Sequence, residues 1–270
     1  MDRRAVLAGG LALAAGPAFA IDAGRAEGRY NHDGADFKVT HAIALAVDDT
    51  EGFSDEGNGL RVLLSDREVP VSAICGLAFP PVWGMARDGR LEGLLLKIDP
   101  ADKTSLVATI LTKPEPGYSM ATTTISNTEG LWTRLDATPT RVSGELKPDA
   151  SDSMVFEFSA PVFTNAVEAD LKGAAAAASE PAKVLLARAE ALSRKDFKAA
   201  AALSTPDSAR NLETIPPEVL KDLARFTTRM IRELKAPRRV VIRRETAAVM
   251  LGPGEWASLT KVDGVWKASD

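Results

Sequence analysis

Between residues 37 and 47 large and small side chains alternate. Phe37, Val39, His41, Ile43, Leu45 and Val47 fall on one side of the pattern, and Lys38, Thr40, Ala42, Ala44 and Ala46 on the other. A period of two predicts a strand with one heavier face. Residues 28–31 predict a shorter strand before it, with a turn at Asp33-Gly34. Further strands are expected over 60–65, 91–98, 106–112, 120–126, 131–137, 141–146 and 154–160. Turn residues separate them, among them Asp99-Pro100, the run from Lys113 to Gly117, Asn127 and Pro148-Asp149. Many short strands at this spacing predict a mainly β unit, an antiparallel sandwich or open barrel. Residues 69–90 depart from the pattern. Their spacing is partly helical and Pro80-Pro81 interrupts it, so a short helix covering one end or edge of the sheet is expected.

After residue 180 the period changes. Leu185, Leu186, Ala189, Leu192, Phe197 and Ala200 recur at helical offsets, with Asp196 marking a turn between two helices. Another helix opens at Pro216-Pro217, where proline costs little, and carries Leu220, Leu223, Phe226, Met230, Ile231 and Leu234 until Pro237 ends it. Strands follow over 239–244, 246–251, 255–262 and 265–268, joined by Gly252-Pro253-Gly254 and by Asp263-Gly264, a hairpin signal. Helices followed by an antiparallel sheet make a small α+β unit.

Charge divides the chain at the same place. Residues 21–179 hold 14 Lys and Arg against 24 Asp and Glu, a net of −10; residues 180–270 hold 17 against 12, a net of +5. Together with the run of five alanines that follows Gly173, the sign change predicts a β domain over 21–170, a linker over 171–182 and an α+β domain over 183–270.

The first twenty residues have a different character. Met1-Asp2-Arg3-Arg4 is a short positive start, Ala5 to Ala15 is apolar, and Ala18-Phe19-Ala20 fits the small-x-small pattern of a cleavage site. The apolar run is about half the ~20 residues that span a bilayer. An export signal cleaved near Ala20 is expected, giving a periplasmic or secreted protein that begins near Ile21, with no transmembrane anchor after processing. The Arg3-Arg4 pair leaves both an ordinary secretory signal and a twin-arginine signal open.

Few chemistries find their residues here. The lone Cys75 has no internal partner and sits among Ile74, Leu77 and Phe79, which predicts a buried apolar role. Only His32 and His41 are available, too few for a zinc site of the usual kind. Ser258-Leu259-Thr260-Lys261 matches Ser-x-x-Lys, but residues three apart on a strand face opposite sides. The acidic stretch Asp48-Asp49-Thr50-Glu51 to Asp55-Glu56 lacks the residue order of a calcium loop, so a solvated hairpin loop is expected. No catalytic residue, cofactor or metal site is assigned. Arg225, Arg229 and Arg232 share one helical face and, with Arg239 and Arg243, form a candidate face for an anionic partner; nucleic acid is not expected.

Two stretches carry a resemblance. Ser193-Arg194-Lys195-Asp196-Phe197 and the ending Leu259 to Lys267, with Asp263-Gly264-Val265-Trp266-Lys267, resemble the cystatin-like or NTF2-like domains of exported bacterial proteins. That resemblance implies a hairpin closing a curved sheet packed on helices. Lys38-Val39-Thr40-His41-Ala42, Arg61 to Arg67 and Phe156 to Val162 resemble exported bacterial β domains of unassigned activity. The expectation is a non-enzymatic module that binds a small apolar ligand or a protein partner. The alternative is an enzyme of unrecognised type using β-domain carboxylates such as Asp48 or Asp66.

Overall fold

The computed structural model describes residues 21–32, 35–47, 59–76, 80–99, 106–114, 124–126, 132–146, 154–213, 215, 217–252 and 255–269. The export signal, the Asp33-Gly34 turn, the acidic stretch 48–56 and Pro216 lie outside the described residues. Within them the chain is mainly β and builds two sheets.

The first sheet has nine strands among the described residues: β1 (Arg25–His32), β2 (Ala35–Val47), β3 (Gly59–Ser65), β4 (Gly93–Ile98), β5 (Leu106–Leu111), β6 (Thr124–Ser126), β7 (Trp132–Thr138), β8 (Arg141–Leu146) and β9 (Met154–Thr164). Their order is β6-β5-β4-β3-β2-β1-β9-β8-β7, each neighbour antiparallel. Arg25 pairs with both His41 and Ser159. Beyond it β2 and β9 meet directly and in parallel, with Ala44–Ala46 beside Val162–Thr164. One apolar cluster collects side chains from eight of these strands on a single face, including Tyr30, Phe37, Val62, Leu96, Phe156 and Phe158. A sheet whose whole face shares one cluster is curled around it.

Strand β2 forms where its alternation predicts, but its heavy side chains do not share a face. Phe37 and Val39 enter the inner cluster together with Ala42 and Ala44, whereas Ile43, Leu45 and Val47 pack into a second cluster on the outer face. The switch falls at Thr40–His41, opposite the register irregularity of β1 between Arg25 and Gly28. Side chains converge on the concave side of a curled sheet, so short alanines fit there and the long ones cover the outside.

Residues 69–76 and 80–91 close that outer face. Val69, Ala73, Ile74, Cys75, Val82 and Ala86 pack on Leu45, Leu63, Leu95 and Leu111. The segment makes a 3-10 turn at Val71–Ala73 and the short helix α1 (Val82–Arg87), which starts directly after Pro80-Pro81. A proline there loses no helical hydrogen bond.

The second sheet has the order β10 (Val167–Lys172), β11 (Arg239–Arg243), β12 (Thr246–Gly252), β13 (Glu255–Val262) and β14 (Val265–Ser269), all antiparallel. Helices α2 (Gly173–Ala178), α3 (Glu180–Ser193), α4 (Phe197–Ala202), α5 (Pro206–Glu213) and α6 (Pro217–Leu234) lie between β10 and β11 in the chain. Ala182, Leu185 and Ala189 of α3 and Leu234 of α6 pack on Val240, Ala247, Val249, Leu259 and Trp266 of the sheet. Ser179 separates α2 from α3: its hydroxyl donates to Ala176 O and accepts from Ala182 N, the N-cap bond of α3. Asp196 caps α4 through Ala199 N at 3.0 Å. Asp263 and Gly264 both have positive φ, 52° and 77°, between the paired Val262 and Val265. This is the two-residue hairpin turn that suits strand twist.

The two sheets meet at Asn165, between β9 and β10. Its side-chain NH2 donates to Thr246 Oγ1 at 2.8 Å, its side-chain oxygen accepts from Glu245 N at 2.9 Å, and its carbonyl accepts from Arg243 Nη1 at 3.3 Å. A second meeting point lies one strand further on, where β13 lies against the 71–73 turn.

Candidate functional site

Three distant parts of the chain enclose a cleft of about 360 Å³. Pro70 to Ala73 and α1 with its flanking Pro80-Pro81 form one wall. The start of α5 forms the second, and the ends of β13 and β14 form the third. Trp83 and Met85 are half-buried, and with Ala73 and the prolines they give the cleft an apolar lining. Thr205, Ser208, Asn211 and Thr260 add polar groups.

The α5 wall is fixed in two ways. Thr205 N donates to Ala268 O at 2.8 Å and Ala268 N donates to Leu203 O at 2.9 Å, so the loop before α5 is bonded to the free edge of β14. Thr205 Oγ1 then accepts from Ser208 N at 3.4 Å and caps the helix.

Charged residues at the rim bind one another. Arg87 Nη2 donates to Asp207 Oδ1 at 3.2 Å, Arg210 pairs with the same Asp207, and Arg210 Nη1 lies 2.6 Å from Asp88 Oδ2. Arg90 completes the set, donating to Asp88 Oδ2 at 3.0 and 3.1 Å. These pairs join α1, which packs on the first sheet, to α5, which packs on the second. Half-exposed pairs contribute little one by one, about 0–1 kcal/mol each, but a network shares its ordering cost. Its geometric effect is to set the distance between the walls, with three arginines sharing two aspartates.

The residues singled out from the sequence lie elsewhere. Asp66 follows β3 and is a clamp between loops. Burial raises its pKa, but hydrogen bonds from Arg67, at 2.5 and 2.9 Å, and from Glu92 N, at 3.0 Å, outweigh burial and hold the carboxyl below its ordinary value. A carboxylate held ionised has no proton to donate near neutral pH. His41 accompanies it at one remove. Thr40 Oγ1 donates its single proton to Asp66 O at 2.9 Å, so His41 Nδ1, 2.8 Å from that hydroxyl, is the donor in their contact. Asp48 and the side chain of His32 lie outside what is described. Cys75 is fully buried, and burial, assisted by the negative charge of Glu245, pushes its thiol up to about 12. Among the described residues no three His, Cys, Asp or Glu side chains group closely enough to hold a metal ion.

The five arginines of the candidate anionic face divide between the two sides of the second sheet. Arg225, Arg229 and Arg232 are exposed on α6, on the helix side. Val240 and Ile242 of β11 face those helices, so Arg239 and Arg243, alternate with them, face the other way. Arg239 is bonded to Asp170 at 2.8 and 2.9 Å, and Arg243 is buried against Asn165.

The cleft itself had no sequence signal. Its walls come from residues near 70–90, 205–211 and 260–269, and only the double proline and Trp83 mark the first of them. Compared with family models, with curated proteins and with solved structures, the chain matches none.

Proposed function

We propose that the protein is an exported module, periplasmic or secreted after cleavage near Ala20, that binds a small, largely apolar molecule in the cleft between α1, α5 and β13. The carrying observation is the cleft: about 360 Å³, lined by Trp83, Met85 and prolines, with both aspartates of its rim network paired to arginines. A volume of a few hundred Å³ suits a ligand of modest size, and apolar walls with a few polar groups are the usual composition of such sites. In this reading the chain forms two units, one around each sheet. The expected break at 170 moves back to Asn165, because β10 belongs to the second sheet and α2 and α3 occupy the expected linker 171–182. The second unit is a cystatin-like or NTF2-like α+β domain. Support for that comes from α3 and α6 packed on one face of β10–β14 and from the Asp263-Gly264 hairpin. The binding role is carried by the cleft and not by the resemblance.

The test uses N-phenyl-1-naphthylamine, an apolar fluorophore. It is expected to bind the protein at one saturable site and to quench Trp83. Ser72→Trp, which fills the cleft, is expected to abolish binding while leaving the melting temperature within a few degrees. Absence of saturable binding, or binding that persists in Ser72→Trp, ends this reading. Export is tested separately, by finding the chain in the envelope fraction with its N-terminus at Ile21.

A further inference from the structure

Helix α6 buries only one of its sides. Thr227 and Leu234 are enclosed, and Leu223, Met230 and Ile231 are half-buried toward α3 and β12. The opposite side presents Asp222, Arg225, Arg229 and Arg232, with Phe226 on its flank, and the chain continues through exposed Lys235 and Arg238. Phe226 stands 48% exposed with Arg225 and Arg229 beside it, along an open hollow of about 420 Å³. Local acids offset only part of this charge. Glu233 lies 3.9 Å from both Arg229 and Arg232, and Glu255 lies 3.3 Å from Arg229. Exposed Asp222 lines the same hollow as Arg225 and Arg229, so three carboxylates stand against the five cations Arg225, Arg229, Arg232, Lys235 and Arg238.

We propose that this face of α6 docks on an anionic lipid surface, with Phe226 entering the headgroup region and the arginines on the phosphates. The argument is charge complementarity joined to shape. The apolar face of α6 is spent on the protein core, so the attraction rests on its clustered guanidinium groups, the composition that meets anionic headgroups, with Phe226 as a single apolar contact. The face is the outer side of a helix layer, and its guanidinium groups recur along α6 from Arg225 to Arg232, so a charged plane meets all of them at once. Charge along the chain gives the orientation: residues 180–270 carry a net of +5 and residues 21–179 a net of −10. Near a negative plane such a molecule turns its basic helix inward and its acidic sheet away. The docking face is separate from the apolar cleft and does not depend on a ligand there.

The test is co-sedimentation of the full chain with vesicles of phosphatidylglycerol and phosphatidylethanolamine, with phosphatidylcholine vesicles as the neutral control. Binding is expected to the anionic vesicles alone and to weaken steeply as salt rises from 50 to 300 mM. Each arginine near such a surface contributes about 1 kcal/mol, so Arg225→Gln and Arg232→Gln are each expected to weaken binding about fivefold, and the pair together about 25-fold. Phe226→Trp reports insertion without depending on a loss: its fluorescence is expected to shift to the blue with anionic vesicles. Equal binding to both vesicle types overturns the proposal, as does an unshifted Phe226→Trp spectrum. So does binding to the soluble polyanion heparin that matches the anionic vesicles in strength.

Discussion

The carboxylate of Asp207 sits where a side chain on residue 84 would stand, so α1 and α5 approach each other only because residue 84 is glycine. Gly84 also lines the cleft, so this contact lies at the junction of two of its walls. Gly84→Ala is expected to destabilise the protein by about 1–3 kcal/mol, the usual cost of overpacking. In an Asp207→Ala background the sign reverses. There the added methyl meets no carboxylate, and alanine inside a helix is favoured over glycine by about 0.5–1 kcal/mol. Urea unfolding of the four proteins of the cycle measures both effects, and a Gly84→Ala cost that survives Asp207→Ala would refute the contact.

A second close approach lies in the first sheet. A Cβ on Gly144 would meet Trp132 at 2.8 Å and Phe158 at 2.9 Å, whose rings stand edge to face with centroids 6.1 Å apart. Gly144→Ala is expected to cost about 1–3 kcal/mol and to change the near-ultraviolet circular dichroism of Trp132. An unaltered aromatic spectrum would show that the rings do not hold this position.

Acid sensitivity follows from two carboxylates. The hydrogen bond from Arg239 holds Asp170 below its ordinary pKa, and Arg67 with Glu92 N holds Asp66 low against the effect of burial. A depressed carboxylate stabilises the fold above its unfolded pKa, near 4, and loses that contribution as pH falls through the folded value. Unfolding measured from pH 7 down to pH 2 is expected to show stability declining below about pH 4. Asp66→Asn should have a smaller decline, and an identical slope would remove Asp66 from the account.

Cys75 gives the opposite limit. An unfolded thiol ionises near 8.5, while burial keeps the folded one protonated up to about 12. Stability from this group is whole below pH 8.5 and is lost as pH rises toward 12, by up to about 1.4 kcal/mol per pH unit. Cys75→Ala lacks that loss, so the difference between the two proteins should narrow above pH 9. Iodoacetamide at pH 8 should leave the native thiol unmodified and label it in guanidinium. Rapid labelling of the native protein would contradict the burial.

Most strands and the long helices were legible because their signals are local: alternation, apolar offsets and turn residues. Strand β10 was missed because Val-Glu-Ala-Asp-Leu-Lys offers little apolar side chain, and as an edge strand it needs little. Helix α5, Pro-Asp-Ser-Ala-Arg-Asn-Leu-Glu, was missed for the same reason, being held by its Thr205 cap, the β14 edge and the Asp207 pairs. The shared face assigned to the heavy residues of β2 failed because alternation records the side of each residue only while the register stays regular. The five arginines were grouped by closeness in sequence, whereas β11 carries two of them to the far side of the sheet. The cleft was invisible because no local pattern says that residues 83, 207 and 260 meet.

Strand β1 has a consequence for how the molecule is made. It is the first described strand in the chain, yet it lies in the interior of the nine-stranded sheet, between β2 and β9, with Arg25 opposite Ser159. During synthesis one edge of β1 therefore stays open until residues 154–164 have emerged, and an open edge is a template for pairing with other chains. The hairpin of β1 and β2 can form early, but the sheet cannot be completed until β9 inserts beside it. Closing so long a loop makes this the slow, high-contact-order step of folding.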